Sequence, residues 1–243
     1  MSNRSRYFAA SILAIACVLL AGRCALAAES ATEPVSRDKA SWQTRNQAMN
    51  DRVKQGRVDL IYIGDSIVQR FETDGRQVWN KYYAPRHAVN LGISGDRTQH
   101  VLWRLQHGNI EGISPKLAIV MIGQNNGPDN SAEEIADGVK AIVDTLRAKL
   151  PETKILLLGI TFRGEKPNEE QVKLAKSNEI LAKLDDQKHV FFMNINKIFL
   201  ADDGSIPASL MPDSTALLHT PSFPRKRESR EVCDHPGFPL SRE

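Results

Sequence analysis

The sequence predicts an α/β fold in which helices cover the two faces of a parallel sheet. Predominantly apolar runs of four to seven residues alternate along the chain with longer amphipathic stretches. Strands that alternate with helices in this way pair in parallel, and the connecting helices pack against the sheet. The apolar character of the runs is typical of strands that are buried on both sides.

Five strands and three long helices account for most of the chain between residues 39 and 195. The strands are predicted at residues 58–63, 88–91, 117–122, 154–160 and 190–195. The helices are predicted at residues 39–54, with Trp42 on the inner face, at 133–150 and at 169–184. The last of these carries an apolar stripe of Val172, Leu174, Leu181 and Leu184. Shorter helical segments are expected from Ile67 onward and at residues 101–105.

The first 27 residues have the three parts of a secretory signal peptide. Arg4 and Arg6 precede an apolar run at residues 7–22, and the small residues of Ala25-Leu26-Ala27 follow. This pattern predicts cleavage after Ala27 and export, to the periplasm in the first place or, alternatively, by secretion from the cell. A membrane anchor is disfavoured because the run is shorter than the ~20 residues that span a bilayer.

Removal of the signal peptide, residues 1–27, leaves one domain at residues 28–213 and an irregular tail at residues 214–243. The domain is long enough for an α/β fold with a sizeable core. Cys233 is then the only cysteine, so no internal disulfide is expected. No Cys/His cluster has the spacing of a zinc site, and neither a metal nor an organic cofactor is predicted. The basic cluster of the tail is interleaved with glutamates, which is typical of a solvated surface, so no nucleic-acid partner is predicted.

Ser66 stands where serine chemistry needs a nucleophile. It follows the first strand in the turn Gly64-Asp65-Ser66-Ile67. This position places its hydroxyl at the carboxyl edge of the sheet, where open α/β sheets bind ligands. Backbone N–H groups at the start of the following helix can stabilise a developing oxyanion. The alternative interpretation is that Asp65 or Ser66 only caps that helix.

Two further strands bring small or polar residues to the same edge. Gly95 follows the second strand, and a glycine lets the backbone N–H approach a ligand closely. Asn125 follows the third strand, and its carboxamide can donate to an oxyanion. Each signal is weak alone because glycine and asparagine end many strands. Together, in this order, Ser66, Gly95 and Asn125 form a specific pattern.

This pattern resembles the SGNH, or GDSL-type, hydrolase superfamily, whose name lists a catalytic Ser, Gly, Asn and His on separate sequence blocks. Within it, the chain is most similar to the catalytic subunits of the platelet-activating-factor acetylhydrolases and their bacterial relatives. The likeness covers about residues 38–213. The matching blocks are residues 64–69, 92–105, 123–126 and 163–168.

The resemblance implies a three-layer α/β/α fold of the flavodoxin-like type and a serine esterase mechanism. It implies that Ser66 is the nucleophile, and that the Ser66 and Gly95 N–H groups and the Asn125 carboxamide form the oxyanion hole. It also gives Asp213 the place of the triad carboxylate. The substrate class is a short-chain acyl ester, above all an acetyl ester, of a small-molecule, carbohydrate or lipid alcohol. The oligomeric state stays open.

Two positions depart from the family pattern. Gln124 stands where the family usually has threonine. The second departure is serious, because the family closes its triad with Asp-x-x-His and a terminal helix, whereas Ala216 occupies the third position after Asp213. His219, six residues after Asp213, is therefore the candidate base, and His235 is a weaker candidate.

The tail keeps an alternative function open. Residues 220–230 have neither a helical nor a strand period, and they resemble the translation of a dispersed bacterial repeat element. We hypothesise that the native C-terminus was replaced just after Asp213. The predicted function is an exported serine esterase, and the alternative is a catalytically impaired protein that binds esters without turnover or is unstable. A nucleotide-binding protein is disfavoured because no Gly-rich phosphate loop follows the first strand.

Four further residues of the matching blocks are considered for supporting roles. Asp65 and Asp96 each adjoin a candidate site residue, and we expect them to hold the two turns by hydrogen bonds rather than to act as acids. Arg163 and Asn168 follow the fourth strand at the same edge of the sheet. They either contact the substrate or belong to an ordinary surface loop.

Overall fold

Five parallel strands form the centre of the computed structural model, which describes residues 30–207. They are β1 (Leu60–Gly64), β2 (Ala88–Gly92), β3 (Leu117–Met121), β4 (Lys154–Leu158) and β5 (Val190–Met193). Their order in the sheet is β2-β1-β3-β4-β5, and all neighbouring strands pair in parallel. This is the strand order of flavodoxin-like folds, so the predicted fold class is confirmed.

The helices longer than two turns share one core on the first face of the sheet. They are α1 (Ala40–Lys54), α2 (Thr98–Gln106), α3 (Ala132–Lys149) and α4 (Glu169–Leu181). α4 continues as a short 3₁₀ turn, Ala182–Leu184, so the three predicted long helices are all present. Trp42 of α1 is 2% exposed and faces this core, as predicted.

The second face is covered near β1 and β2 by the segment that connects these two strands. Short helical turns follow one another there: Ser66–Gln69, Arg70–Glu72, Arg76–Val78, Trp79–Tyr83 and Ala84–Arg86. Tyr83 and Phe71 contact the ring of Tyr62 in β1, with centroids 5.8 and 5.5 Å apart. The helix expected from Ile67 onward is therefore broken into short pieces. The run Thr73-Asp74-Gly75, which favours turns, interrupts it.

The predicted apolar stripe of α4 is wrong at one position. Leu174 and Leu181 are buried, but Val172 is 71% exposed. Val172 and Leu174 are two residues apart, which places them on nearly opposite sides of a helix with 3.6 residues per turn. Leu174, Leu181 and the partly buried Leu184 therefore pack against the core, and Val172 does not.

The two ends of the chain fall outside the described residues. The signal peptide at residues 1–27 and the tail at residues 214–243 stay predictions. Within residues 30–207, no helix is both long enough and apolar enough to cross a membrane.

Candidate active site

The carboxyl ends of β1, β2 and β3 are level with one another in the sheet. The last residue of β1, Gly64, pairs with the last residue of β2 on one side and of β3 on the other. The strand order reverses its direction at β1, and open α/β sheets bind ligands at such a point. Ser66, Gly95 and Asn125 follow these three strand ends by two to four residues. The register therefore brings all three predicted residues to one edge.

Ser66 is the first residue of a one-turn helix that starts directly after β1. The Asp65 carboxylate caps this helix by accepting a hydrogen bond from the Ile67 N–H at 3.0 Å. The turn is too tight for a side chain at Gly64, where a Cβ would lie 2.3 Å from Val68 Cγ2 and 2.6 Å from the Met121 carbonyl oxygen. The capping role belongs to Asp65 and does not require the hydroxyl of Ser66, which is half-buried.

Gly95 occupies a tight turn after β2. The Asp96 N–H donates to the Ile93 carbonyl at 3.1 Å, and Gly95 has a φ of +76°. A positive φ at the third residue of a β-turn defines type II, which favours glycine there. The turn is held from both sides, because the Ser94 N–H donates to Gln69 Oε1 at 2.7 Å and the Ser94 carbonyl accepts from Arg37 Nη1 at 2.9 Å.

Asn125 lies between the two turns. Its Nδ2 donates to the carbonyl oxygen of Asp96 at 2.9 Å and contacts the Asp65 carboxylate at 3.4 Å. Asp65 and Asp96 are the chain neighbours of Ser66 and Gly95. The structure thus brings together the three residues that sequence analysis placed at this edge.

Arg163 fixes the opposite end of the same carboxamide. Its Nη2 donates to Asn125 Oδ1 at 3.1 Å and to Gln124 Oε1 at 3.2 Å. Gln124, which stands where the family usually has threonine, is buried and donates to the Thr161 carbonyl at 2.9 Å. Of the two residues left open in this loop, Arg163 therefore touches the site. Asn168 caps α4 by accepting a hydrogen bond from the Gln171 N–H.

The electrostatics of Asp65 are unusual for a carboxylate. The side chain is buried, and burial raises its pKa to about 6. The nearby Asp96 charge acts in the same direction, whereas the hydrogen bond from Ile67 and the positive charge of Arg163 oppose it. Asp65 is therefore a group that titrates close to neutral pH beside the candidate nucleophile.

Asp96 is buried completely and anchors the Gly95 turn to two helices. Its Oδ1 accepts from the indole N–H of Trp42 at 2.7 Å, and its Oδ2 accepts from Arg104 Nε at 2.9 Å. Burial lowers the pKa of the Arg104 guanidinium, and the Asp96 charge counters that effect. The hydrogen bonds predicted for Asp65 and Asp96 are both present, because each carboxylate binds groups that hold its turn.

The acid–base part of the site lies outside the described residues. Asp213, His219 and the weaker candidate His235 all belong to it, so their roles stay predictions. Among residues 30–207, no group of three or more potential metal ligands comes together. Sequence reasoning also missed Arg37, which lies 57 positions before Ser94 and has no local signal of its contact.

Ser66 and the Asn125 carboxamide thus lie at the switch point of a flavodoxin-like sheet, where open α/β sheets bind ligands. The sequence profile of the GDSL-like Lipase/Acylhydrolase family matches residues 62–221 of this chain. The chain belongs to that family. It is a carboxylic-ester hydrolase, and its substrates are esters.

Curated relatives support the same family. The chain is 39% identical over 173 residues to the platelet-activating factor acetylhydrolase IB subunit alpha2 of Rattus norvegicus. The aligned residues cover 71% of this chain and 74% of the relative. It is 35% identical over 166 residues to the alpha1 subunit of Bos taurus, covering 68% and 70% of the two chains.

Solved structures share the fold. A protein from Streptococcus pneumoniae, described as a platelet activating factor, superposes with a TM-score of 0.59 at 22% identity. The superposition covers 85% of this chain and 91% of that protein. An acylhydrolase-like protein from Bacteroides fragilis gives a TM-score of 0.57 at 14% identity, with 74% and 88% covered.

Proposed function

We propose that this protein is an exported serine esterase that hydrolyses short-chain acyl esters, above all acetyl esters. The observation that supports this most directly is the Asn125 carboxamide, bound between the chain neighbours of Ser66 and Gly95. The acetyl preference is supported by the names of the curated relatives, which are acetylhydrolases. Export is supported by the pattern of residues 1–27. Lipid, sugar and aryl alcohols all fit as the acyl carrier, because a fold does not fix a substrate.

In the proposed reaction, Ser66 Oγ attacks the ester carbonyl carbon while a base takes its proton. The carbonyl oxygen becomes an oxyanion, which accepts from the N–H groups of Ser66 and Gly95 and from Asn125 Nδ2. Nδ2 carries two hydrogens, which are donated to the Asp96 carbonyl at 2.9 Å and to the Asp65 carboxylate at 3.4 Å. In the proposed reaction the oxyanion takes the place of the more distant acceptor, Asp65.

The alcohol then leaves with the proton, and water repeats the sequence on the acyl-serine. We assign the base to His219 and its orientation to Asp213. Five residues separate them, Ser214-Thr215-Ala216-Leu217-Leu218, so the base must be returned to the site by a looped-out segment or an extra helical turn.

The first test of this function is hydrolysis of p-nitrophenyl acetate by the chain that starts at Ala28, compared with its Ser66→Ala variant. We expect the variant to lose about 10⁶-fold in kcat, because the nucleophile of a serine hydrolase is lost. Ser41→Ala, on the exposed surface of α1, is the matched control and should retain the full rate. If Ser66→Ala kept the full rate of an active unaltered chain, well above spontaneous hydrolysis of the ester, Ser66 would be ruled out as the nucleophile.

The second candidate function is ester binding without turnover, and Ala216 at the third position after Asp213 favours it. His219→Ala and His235→Ala distinguish the two. Loss of rate in His219→Ala alone supports the proposed triad. A folded, unaltered chain that is no faster than Ser66→Ala supports the binding protein instead. Export is tested separately by the mass of the protein in the periplasmic fraction, which should begin at Ala28.

A further inference from the structure

Arg37 lies outside the residues that the sequence assigned to the site, yet it contacts the turn that carries Gly95. It belongs to the extended segment that precedes α1, and its side chain is 28% exposed. Its Nη1 donates to the Ser94 carbonyl oxygen at 2.9 Å and lies 3.5 Å from Asp96 Oδ1. We propose that Arg37 is a positioning residue that fixes the direction of the Gly95 N–H. This inference rests on the proposed oxyanion role of Gly95.

The argument follows from the geometry of one peptide unit. The Ser94 carbonyl and the Gly95 N–H belong to the same planar trans peptide, so they point in opposite directions. A donor bound to the carbonyl on one side therefore sets where the N–H points on the other. Arg37 supplies that donor, and it leaves the N–H directed away from the guanidinium.

This peptide is also the one that distinguishes two turn types. In a type II turn, the peptide between the second and third residues is reversed relative to a type I turn. The φ of +76° at Gly95 places the turn in type II. Reversal to type I would break the Arg37–Ser94 hydrogen bond and turn the Gly95 N–H away from its present direction. The bond therefore selects between the two orientations.

Arg37 also packs directly against Gly95. A Cβ at Gly95 would lie 3.2 Å from Arg37 Nη1 and 3.4 Å from Nη2. The positive charge on the carbonyl side polarises the peptide and makes its N–H a stronger donor. The contact thus acts on both the direction and the strength of the proposed oxyanion donor.

The segment that carries Arg37 is itself held in place. The Val35 N–H donates to the Gln99 carbonyl at 3.2 Å, and the Thr98 hydroxyl donates to the Ala31 carbonyl at 2.7 Å. Ala31 is 3% exposed, so this end of the segment is packed against α2 rather than lying free on the surface. Arg37 therefore reaches the turn from a defined anchor.

Compensation of the Asp96 charge does not account for this contact. Trp42 and Arg104 already bind that carboxylate at 2.7 and 2.9 Å, both closer than Arg37 at 3.5 Å. The shortest hydrogen bond of the Arg37 guanidinium goes to the Ser94 carbonyl. Its principal effect therefore falls on the Ser94–Gly95 peptide.

The test compares Arg37→Met and Arg37→Lys with Arg147→Met in the chain that starts at Ala28. Arg147 is the matched control because it also donates to a backbone carbonyl, that of Pro151 at 2.7 Å, before β4 at the opposite edge of the sheet. We expect Arg37→Met to lower kcat about 10- to 100-fold with KM nearly unchanged, since an oxyanion donor acts in the transition state. Arg37→Lys should recover most of the rate, and Arg147→Met should keep it.

A second readout does not depend on activity. In protein labelled with ¹⁵N-glycine, the Gly95 amide resonance is assigned by its absence from Gly95→Ala. It should move in Arg37→Met and stay in place in Arg147→Met. An unchanged Gly95 resonance in Arg37→Met overturns the proposal, and so does a raised KM at constant kcat, which would indicate substrate binding. If the unaltered chain is no faster than Ser66→Ala, the proposed function fails, while the resonance still decides the role of Arg37.

Discussion

Asp65 and Asp96 are two buried carboxylates that adjoin the candidate nucleophile and the candidate oxyanion glycine, but their surroundings differ. Asp96 accepts from the Arg104 guanidinium at 2.9 Å and from the Trp42 indole at 2.7 Å. Asp65 accepts from one backbone N–H at 3.0 Å and contacts one carboxamide at 3.4 Å. The Arg104 cation offsets the cost of burying the Asp96 charge. The hydrogen-bond partners of Asp65 given above are uncharged, and burial raises the pKa of Asp65 to about 6.

The difference separates an anchor from a titrating group within one site. Asp96 ties the Gly95 turn to α1 and α2 through its bonds to the Trp42 indole and the Arg104 guanidinium. Asp65 changes its charge near neutral pH, where an esterase would work, and it does so next to Ser66. Substitution of each carboxylate by the isosteric asparagine therefore has different expected consequences.

The largest effect is expected for Asp96→Asn. This change leaves the fully buried Arg104 without its carboxylate, and breaking a buried ion pair costs about 3–5 kcal/mol of unfolding free energy. Urea denaturation measures it. Asp129→Asn, which removes the partner of Arg97 at the surface, is the control and should cost about 0–1 kcal/mol. Similar losses in the two variants would show that Asp96 is not an anchor.

A smaller and pH-dependent effect is expected for Asp65→Asn. Because burial raises the folded-state pKa from 3.8 to about 6, the folded chain binds more protons than the unfolded chain between these values. The contribution of Asp65 to stability is therefore fully present below pH 3.8 and is lost as the pH rises through 6. The loss amounts to about 3 kcal/mol at neutral pH.

Asparagine cannot ionise, so the variant should lack this fall. The difference in unfolding free energy between Asp65→Asn and the unaltered chain should shift in favour of the variant as the pH rises from 4 to 7. Melting temperatures measured across that range test the prediction. A difference that does not change with pH would mean that Asp65 has an ordinary pKa in the folded protein.

The smallest effect is expected for Arg163→Met. Arg163 donates to the Asn125 carboxamide, which in turn contacts the Asp65 carboxylate and the main-chain carbonyl of Asp96. Loss of its hydrogen bonds should cost about 1 kcal/mol of stability. Loss of its charge should raise the pKa of Asp65 further, because that charge now opposes the effect of burial. The pH at which stability falls should therefore move upward, whereas Arg163→Lys should move it less. An unchanged pH dependence would exclude this coupling.

Much of the fold and half of the site could be predicted because their signals are local. Each strand is an apolar run, and Ser66, Gly95 and Asn125 each follow such a run by a few residues. A parallel register then brings strand ends together without further information. The break in the helix after Ile67 was missed because turn-forming residues interrupt an otherwise helical segment. The exposure of Val172 was missed because its apolar character suggested burial, whereas its angular position on α4 places it on the outer side.

The supporting contacts could not be predicted in the same way. Arg37 and Ser94 are 57 positions apart, and Trp42 and Asp96 are 54 apart. A side-chain hydrogen bond across such a separation leaves no period or motif in the sequence, because it depends on how α1 and the preceding segment pack on the sheet. Asp213 and His219 stay predictions for a different reason, since they lie outside the described residues.

The glycine that ends β1 has a practical consequence for engineering. A side chain at Gly64 would collide with the main chain of Met121. The distance between the ends of β1 and β3 is therefore set by direct contact between their main chains. A mutational library aimed at new acyl carriers should therefore leave this position untouched. The solvent-exposed residues 165–167 of the loop after β4 can be varied instead, because they precede the α4 cap at Asn168.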